Sequence, residues 1–310
     1  MVNNLRGRHC LSLQDFTAEE IGAMLELAGE LKAKQKAGEP HRLLEGKTLG
    51  MIFQKPSTRT RVSFEVGMWQ LGGYALFLSS QELQIGRGEP IKDTAAVLSR
   101  YLDGIMIRTF DHAEVEELAA NSSVPVINGL TDLLHPCQVL ADLLTIKEKL
   151  GRLEGLKVAY VGDGNNVAHS LLLGCSKMGI NIYVGTPSQY RPMERIYKMA
   201  RENAVASGGS VHLLEDPAET VKDADVVYTD VWASMGQEEE KEKRKAIFSS
   251  YQVNSKLLEL ALPDALVMHC LPAYRGWEIS ADVLDGRQSV VVDQAENRLH
   301  AQKGLMAMLM

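Results

Sequence analysis

Residues 47–70, KTLGMIFQKPSTRTRVSFEVGMWQ, contain a predicted strand followed at once by a predicted helix. The apolar run LGMIF is typical of a buried strand. Pro56 and Ser57 then form a helix entry, because serine is a favoured N-cap and Val62, Val66 and Trp69 follow at helical spacing. The stretch therefore predicts one strand–helix unit, the repeating element of a parallel α/β sheet.

The same alternation continues along the chain, and a glycine-containing stretch divides it into two halves. The segment GRLEGL, residues 151–156, follows a predicted helix from about Pro136 to Leu150, and the alternation restarts after it. We expect an α/β protein of two similar-sized domains, each a mostly parallel sheet flanked by helices, joined by inter-domain helices. The predicted domains are residues 1–150 and 151–295, and a C-terminal helix at about 296–310 is expected to pack back on the first.

Three further segments carry weaker local signals. The pattern predicts a helix from Asp93 to Leu102. The apolar run SVVVDQ, residues 289–294, predicts a strand. The dense charges from Glu238 to Lys245 favour a solvated loop, and the small-residue turn that precedes them could belong to a mobile lid.

Composition and charge exclude several classes of protein. The chain has 310 residues, 45% of them hydrophobic, and a net charge of -7, which argues against a nucleic-acid binder. No apolar run reaches the ~18 residues that a membrane span needs, and the N-terminus lacks the apolar region of a signal peptide. Four widely spaced cysteines favour reduced thiols over a disulfide framework or a zinc cluster. We therefore expect a cytoplasmic protein without a membrane or nucleic-acid partner.

The helix that begins after Ser57 carries positive side chains where acidic ones are usual. A helix N-terminus is partly positive and favours Asp or Glu in its first turn. Here the first turn holds Arg59, Arg61 follows, and the hydroxyls of Thr58 and Thr60 lie beside them. One explanation is a well-capped surface helix with solvated arginines, and the other is a phosphate site. Because no Walker pattern is present, a small phosphate ester or anhydride fits better than a nucleoside triphosphate.

Other polar residues follow predicted strands, where parallel sheets bind their ligands. Arg108 ends the strand GIMIR. His135 and Gln138 open a helix three residues apart, so both could donate to a carbonyl oxygen, although a lone histidine is more often structural. After the strand DVVYT, Asp230 could pair with a substrate ammonium group.

The segment YVGDGNN, residues 160–166, carries only part of a dinucleotide fingerprint. Gly162 and Gly164 are present, but Val167 occupies the third glycine position, and the next strand ends in Thr186 rather than an acid. NAD is therefore not expected, and Asn165 and Asn166 could present amides to a small polar ligand.

Cys270 lies just past the predicted strand ALVMH. A buried, inert cysteine is the usual interpretation, and a Cys-His-Asp hydrolase is the alternative. Neighbouring residues of a strand point to opposite faces, so His269 is expected to point away from Cys270.

Together these segments resemble the aspartate/ornithine carbamoyltransferase family, and within it the branch that uses ornithine. The resemblance implies transfer of the carbamoyl group of carbamoyl phosphate to the side-chain amine of L-ornithine, giving L-citrulline and phosphate, with no metal and no organic cofactor. It extends over nearly the whole chain and rests on four motifs in order: Ser57-Thr58-Arg59-Thr60-Arg61, His135-Pro136-Cys137-Gln138, Asp230 with Ser234-Met235-Gly236, and His269-Cys270-Leu271-Pro272.

The resemblance also implies a role for individual residues. Residues 1–150 would bind carbamoyl phosphate and residues 151–295 would bind ornithine. Thr60, Arg108 and His135 would polarise the carbonyl, and Cys270 with Asp230 would accept a proton from the amine and orient it. Cys270 and Leu271 would line the junction of the two substrates. Ornithine would contact Asn166, Asp230, Ser234 and Met235. Carbamoyl phosphate would contact Ser57, Thr58, Arg59, Thr60, Gln84, Arg108, His135, Gln138, Cys270, Leu271 and Arg298.

A homotrimer, or a multiple of trimers, is the assembly that the resemblance implies, with Gln84 near a neighbouring subunit's site. Two alternatives remain: a carbamoyltransferase for a related amine such as putrescine or an N-acylated ornithine, and a catalytically silent binding protein on the same fold. The Ser-Met-Gly segment favours free ornithine, and the intact Arg59, Arg108, His135 and Cys270 oppose a silent protein. A role in arginine biosynthesis is implied by the family, and no motif separates it from a role in breakdown.

Overall fold

The computed structural model describes residues 5–233 and 240–310. The chain forms two units, one made of the residues up to Leu144 together with Glu296–Met310, the other of Thr145–Ala295. Two long helices contribute residues to both units. Across the described part of the chain, no helix combines the length and the apolar character that a membrane span requires.

The first unit is a four-stranded parallel sheet with helices between its strands. Its elements are α1 (Ala18–Lys36), β1 (Thr48–Phe53), α2 (Thr58–Gln70), β2 (Tyr74–Ser79), α3 (Ile91–Leu98), β3 (Gly104–Arg108), α4 (His112–Ala120), β4 (Val126–Leu130) and α5 (Pro136–Leu150). The strand order is β2-β1-β3-β4. The central strand β3 is buried at every position, whereas the edge strand β2 is partly exposed along its length.

The second unit is a five-stranded parallel sheet in the order β7-β6-β5-β8-β9. Strands β8 and β9 are buried at every position, as expected where both faces of a sheet are covered. The elements are β5 (Lys157–Val161), α6 (Asn166–Lys177), β6 (Asn181–Gly185), α7 (Glu194–Ser207), β7 (Ser210–Leu214), α8 (Pro217–Val221), β8 (Val226–Thr229), α9 (Lys241–Phe248), α10 (Ser255–Leu258), β9 (Leu266–His269) and α11 (Ala281–Leu284). The last helix, α12 (Val291–Leu309), begins in this unit and belongs to the first unit from Glu296 onward.

The predicted fold class is confirmed, since the chain forms two parallel sheets with helices between the strands. Strand register then decides which loops lie side by side. In the first sheet Phe53 pairs with Arg108, so the end of β1 lies beside the end of β3. In the second sheet Thr229 pairs with His269, so the residues that follow β8 and β9 are neighbours. The polar segments predicted to follow the strands are thereby gathered at the carboxyl edge of each sheet.

Two local predictions are wrong. The run SVVVDQ is not a strand, because Ser289 forms only an isolated bridge to Val267 and α12 begins at Val291. A short apolar run fits a strand and the first turn of a helix equally well. In the helix Val291 is buried and Val292 is exposed, and Asp293 in that turn suits a helix N-terminus. The helix predicted from Asp93 to Leu102 is α3, which begins at Ile91 and ends at Leu98, where the chain leaves it in tight turns.

Candidate active site

The first subsite lies at the start of α2, directly after β1. Ser57 is the N-cap, and its Oγ accepts a hydrogen bond from the Thr60 N–H at 3.3 Å and lies 3.0 Å from the Thr60 Oγ1. Arg108 is buried beside this turn, and its carbonyl accepts the Gln54 N–H at 2.9 Å. The hydroxyls and N-terminal N–H groups of α2 thus lie close to the strand end that carries the buried Arg108, a combination that suits an anion.

Arg298 of α12 links the starts of α2 and α5. Its Nη2 donates to Thr60 Oγ1 at 2.7 Å and its Nη1 donates to Gln138 Oε1 at 3.1 Å. Gln138 in turn donates through Nε2 to Asp142 Oδ1 at 2.8 Å. Arg298, Thr60 and Gln138 are all buried. The two polar segments predicted to act together are therefore joined by a residue from the far end of the chain.

His135 is buried at the start of α5, and its pKa lies well below its ordinary value. Burial is the main cause, and the positive charges of Arg298, Arg108 and Arg59 lower the pKa further. The imidazole is therefore neutral at physiological pH, and three guanidinium groups are near enough to act on it. The guanidinium groups keep the region positive, and the neutral ring can still donate one hydrogen bond and accept another.

Not every polar residue near this turn belongs to the cluster. Lys55 is buried, pairs with Asp132 and lies 4.0 Å from the centre of the Phe110 ring. Arg61 donates to Glu65 Oε1 at 3.0 Å along α2 and lies 3.9 Å from the Phe77 ring, so it is engaged on the outer face of the helix.

Two of the residues predicted to contact carbamoyl phosphate, Thr58 and Gln84, are exposed to solvent. Thr58 is exposed as the first residue of α2. Gln84 is exposed in a short 3-10 helix, Gln84–Arg87, and the contacts described for it are with its own turn, through its carbonyl to the N–H groups of Gly88 and Glu89.

The second subsite is centred on Asp230, which follows β8 and is buried. Its Oδ2 accepts a hydrogen bond from Asn165 Nδ2 at 2.8 Å, and its Oδ1 accepts one from the Cys270 thiol at 2.9 Å. The register of β8 with β9 explains the second contact, because it makes Asp230 and Cys270 neighbours. A buried carboxylate, an amide and a thiol therefore form one hydrogen-bonded group.

The two asparagines at the start of α6 have different positions and contacts. Asn166 is the first residue of the helix and is half-buried, whereas Asn165 is the N-cap and accepts from the N–H groups of Val167 and Ala168. Asn165 is also the residue that holds Asp230, a role that sequence reasoning did not assign to it. The sequence signal was available, since an asparagine directly before a helix is a preferred N-cap. Ser234, Met235 and Gly236, the other predicted contacts, lie outside the described residues.

The charge run after Asp230 is not simply a solvated loop, so that prediction is wrong for its later part. Residues from Lys241 form α9, and Arg244 on this helix is 7% exposed. Arg244 Nη1 donates to Asp163 Oδ2 at 2.7 Å and to the Trp232 carbonyl at 3.0 Å. Its guanidinium carbon also lies 4.8 Å from the centre of the Tyr190 ring. Charge density in a sequence does not reveal which member of the run is buried.

The pKa of the Asp163 carboxyl stays above its ordinary value even beside Arg244. Burial raises the pKa of Asp163 to about 6, an effect that the charge and hydrogen bond of Arg244 reduce but do not cancel. Asp163 lies two residues before Asn165, and Trp232 lies two residues after Asp230. Arg244 therefore ties together the two loops that carry the second subsite.

The prediction that His269 points away from Cys270 is wrong. A ring nitrogen of His269, the Cys270 sulfur and an Asp230 oxygen lie within 4.8 Å of one another. Side chains alternate between the two faces only within a strand, and β9 ends at His269. The direction of the Cys270 side chain is therefore not set by that alternation. Leu271, the next residue, has a φ of 58°, in the left-handed region.

These three side chains are the kinds of group that bind metals, but their ligand atoms are already engaged. Asp230 accepts from Asn165 and Cys270, and His269 Nδ1 lies 2.8 Å from the Leu271 nitrogen. The expectation of a reaction without metal or cofactor stays a prediction. Each unit thus contains one polar cluster: cationic in the first, and made of a carboxylate, an amide and a thiol in the second.

Comparison with known proteins identifies relatives of the whole chain. Residues 8–148 match the model of the aspartate/ornithine carbamoyltransferase carbamoyl-P binding domain, and residues 154–309 match that of the Asp/Orn binding domain. The chain is 62% identical to a protein of Thermococcus kodakarensis named ornithine carbamoyltransferase, over 100% of this chain and 98% of that protein. It is also 62% identical to the Pyrococcus furiosus protein named ornithine carbamoyltransferase, anabolic, over 100% of this chain and 98% of that protein.

Solved structures of ornithine carbamoyltransferases also resemble the chain over nearly its whole length. The ornithine carbamoyltransferase structure from Pyrococcus furiosus has a TM-score of 0.97 at 61% identity, covering 100% of this chain and 99% of that one. The structure from Giardia lamblia has a TM-score of 0.89 at 33% identity, covering 97% of each chain.

Proposed function

The chain belongs to the aspartate/ornithine carbamoyltransferase family, and we infer that it transfers the carbamoyl group of carbamoyl phosphate to the side-chain amine of L-ornithine, giving L-citrulline and phosphate. The observation that carries this inference is the meeting of Arg59, Arg108 and Arg298 around a buried, neutral His135. Such a group matches a ligand that has a dianionic phosphate beside an uncharged carbonyl.

Carbamoyl phosphate is held by the N-terminus of α2 and the cluster behind it. Its phosphate accepts hydrogen bonds from the α2 N–H groups, the Ser57, Thr58 and Thr60 hydroxyls and the guanidinium of Arg59, which suits a helix N-terminus. Its carbonyl oxygen gains negative charge as the amine attacks. Arg108, His135 and Thr60 donate to that oxygen, and Gln138, held by Arg298, supports the carbamoyl group.

Ornithine binds through the second subsite, with Asn166, Asp230, Ser234 and Met235 as its contacts. The ammonium group must lose a proton before its nitrogen can attack. The hydrogen-bonded Cys270 and Asp230 take up that proton and orient the amine. The new bond joins this nitrogen to the carbamoyl carbon, and the bond from that carbon to the phosphate oxygen breaks. Phosphate leaves with the bonding electrons and takes up the second proton, which the nitrogen loses after it has attacked.

A homotrimer, or a multiple of trimers, is the proposed assembly. The support is an apolar surface at the β2 edge of the first sheet, where Trp69 is 76% exposed, Tyr74 65% and Tyr101 73%. Aromatic side chains this exposed on an edge strand and the segments beside it suit an interface between copies. Gln84 follows the same strand, which accords with its proposed contact to the site of a neighbouring copy.

The proposed setting is the cytoplasm, and the proposed direction is arginine synthesis. None of the four cysteines, all within the described residues, forms a disulfide, which accords with a reducing compartment. The Pyrococcus furiosus relative carries the word anabolic in its name, and this supports a biosynthetic role.

The test is citrulline formation by the purified protein with carbamoyl phosphate and a panel of amines. L-Ornithine is expected to support turnover, whereas putrescine, N-acetylornithine and L-aspartate are expected to support little. Equal or faster turnover with putrescine or N-acetylornithine would assign the chain to a related amine. No turnover with any amine, by a protein that still binds carbamoyl phosphate, would mark it as a silent binding protein.

A further inference from the structure

Two buried side chains beside the Cys270–Leu271 turn, His269 and Glu278, have no part in the proposed reaction. Neither side chain is exposed to solvent, with a relative exposure of 0% for each. The Nε2 of His269 lies 3.1 Å from Glu278 Oε1, and the Nδ1 lies 2.8 Å from the backbone nitrogen of Leu271. Both ring nitrogens therefore have partners from the same loop.

These contacts select one tautomer of His269. The backbone N–H of Leu271 can only donate, so Nδ1 must be the acceptor and carries no proton. The proton of the neutral ring then lies on Nε2 and is donated to Glu278. The same Oε1 of Glu278 accepts the Tyr274 N–H at 2.6 Å. One carboxylate oxygen thus holds both the ring and the loop that follows the turn.

The held residue, Leu271, adopts an unusual backbone conformation. Its φ of 58° lies in a region that residues other than glycine seldom populate, and such a conformation needs support from its surroundings. The bond from its N–H to His269 Nδ1 supplies part of that support. Cys270 lies between these two residues, and its thiol donates to Asp230 at 2.9 Å. The shape of the turn therefore determines where the thiol lies.

We propose that His269 and Glu278 are positioning residues for the transfer reaction. Glu278 holds His269 as the Nε2–H tautomer, His269 Nδ1 holds the Leu271 backbone, and the turn so formed places the Cys270 thiol on Asp230. The inference rests on the proposed roles of Cys270 and Asp230 in taking up the proton of the amine.

Two substitutions of His269 separate positioning from simple packing. His269→Asn keeps an acceptor close to the Nδ1 position, whereas His269→Gln can still reach Glu278 but lacks that acceptor. Steady-state kinetics with both substrates should give a kcat close to wild type for His269→Asn. For His269→Gln, kcat should fall about 10- to 100-fold, the effect of displacing a reacting group by about an ångström. Thermal unfolding, measured on both, should change by similar amounts.

Glu278 offers a second matched pair. Glu278→Gln keeps an oxygen that can accept from His269 and Tyr274, so kcat should stay close to wild type, whereas Glu278→Leu should reproduce the loss seen in His269→Gln. An equal fall in kcat for His269→Asn and His269→Gln, or no fall for His269→Gln, would overturn the inference.

Cys270→Ala, assayed in parallel, distinguishes a failure of the proposed role of the thiol from a failure of the positioning inference alone. Wild-type turnover by Cys270→Ala would overturn both the proposed role of the thiol and the positioning inference. An impaired Cys270→Ala beside an unimpaired His269→Gln would overturn the positioning inference alone.

Discussion

Replacement of Arg244 by leucine tests the buried ion pair that ties the loops of the second subsite together. Arg244 and Asp163 are each 7% exposed, and their charged atoms are 2.7 Å apart. Arg244→Leu leaves the Asp163 carboxyl buried and removes the 3.0 Å hydrogen bond to the Trp232 carbonyl. We expect a clear loss of stability, together with a raised KM for ornithine, because the loop that carries Asn165 and Asn166 loses its tie to the strand end that carries Asp230.

The size of the loss follows from the chemistry of the pair. Removal of one partner of a buried ion pair typically costs about 3–5 kcal/mol. Asp163 can avoid part of this cost by taking up a proton, since burial already raises its pKa to about 6. We therefore expect the lower end of the range, about 3 kcal/mol. For a unit of this size, that corresponds to a fall in Tm of roughly 6–12 °C.

Calorimetry on a double-mutant cycle provides the measurement. Asp163→Asn, Arg244→Leu and the double variant are compared with wild type, and Arg42→Leu, an exposed arginine on the surface, is the control. The double variant leaves neither charge buried alone, so its loss should be smaller than the sum of the two single losses. Additive losses, or a loss below about 1 kcal/mol for Arg244→Leu, would refute the account of a buried, coupled pair.

The pH dependence of stability gives an independent check on Asp163. The pKa of this carboxyl is about 6 in the folded protein and 3.8 in an ordinary environment. A raised pKa in the folded state means that the stabilising contribution of the group is full at low pH and is lost as the pH rises through about 6. Relative to Asp163→Asn, wild type should therefore gain up to about 3 kcal/mol between pH 7 and pH 4. A difference in Tm between the two proteins that does not vary with pH would contradict this.

Four further outcomes are expected. Arg59→Ala should weaken carbamoyl phosphate binding about 10- to 150-fold, because it loses one charge-assisted contact worth roughly 1.5–3 kcal/mol, whereas Arg42→Ala should leave binding unchanged. Titration calorimetry measures both variants, and an affinity of Arg59→Ala equal to that of wild type would remove Arg59 from the phosphate site. Burial and three arginines hold the pKa of His135 well below its ordinary value, so His135→Gln should be slower than wild type but should show the same dependence of kcat/KM on pH between about pH 6 and pH 8. An inflection in the wild-type profile that is lost in His135→Gln would show that the ring titrates in this range. Cys270→Ser should reduce turnover of ornithine far more than carbamoyl phosphate binding and should alter the pH dependence of kcat, and wild-type kinetics at every pH would leave the cysteine a packing role only. Trp69→Glu should yield a smaller species in sedimentation, and an unchanged assembly would exclude the β2 edge as the interface.

The sequence by itself determined the features that depend on near neighbours. The order of strands and helices followed from apolar periodicity, and Ser57 was correctly predicted to cap α2, because capping involves residues only a few positions apart. The carboxyl edges of the sheets followed as well, since parallel strands place all their ends on one side. Where two structures share the same local pattern, as in SVVVDQ, the sequence could not decide, because a short apolar run can form a strand or the first turn of a helix.

Only the tertiary structure decided how the polar residues pair. Arg298 reaches Thr60 across 238 positions of sequence, Asn165 rather than Asn166 holds Asp230, and Arg244 is the buried member of a charge run that looked solvated. The tautomer of His269 likewise depends on Glu278 and on the backbone of Leu271. The physical reason is the same in each case. A hydrogen bond between distant residues forms only where packing brings both groups out of water together, and no local pattern in the sequence records which pair that will be.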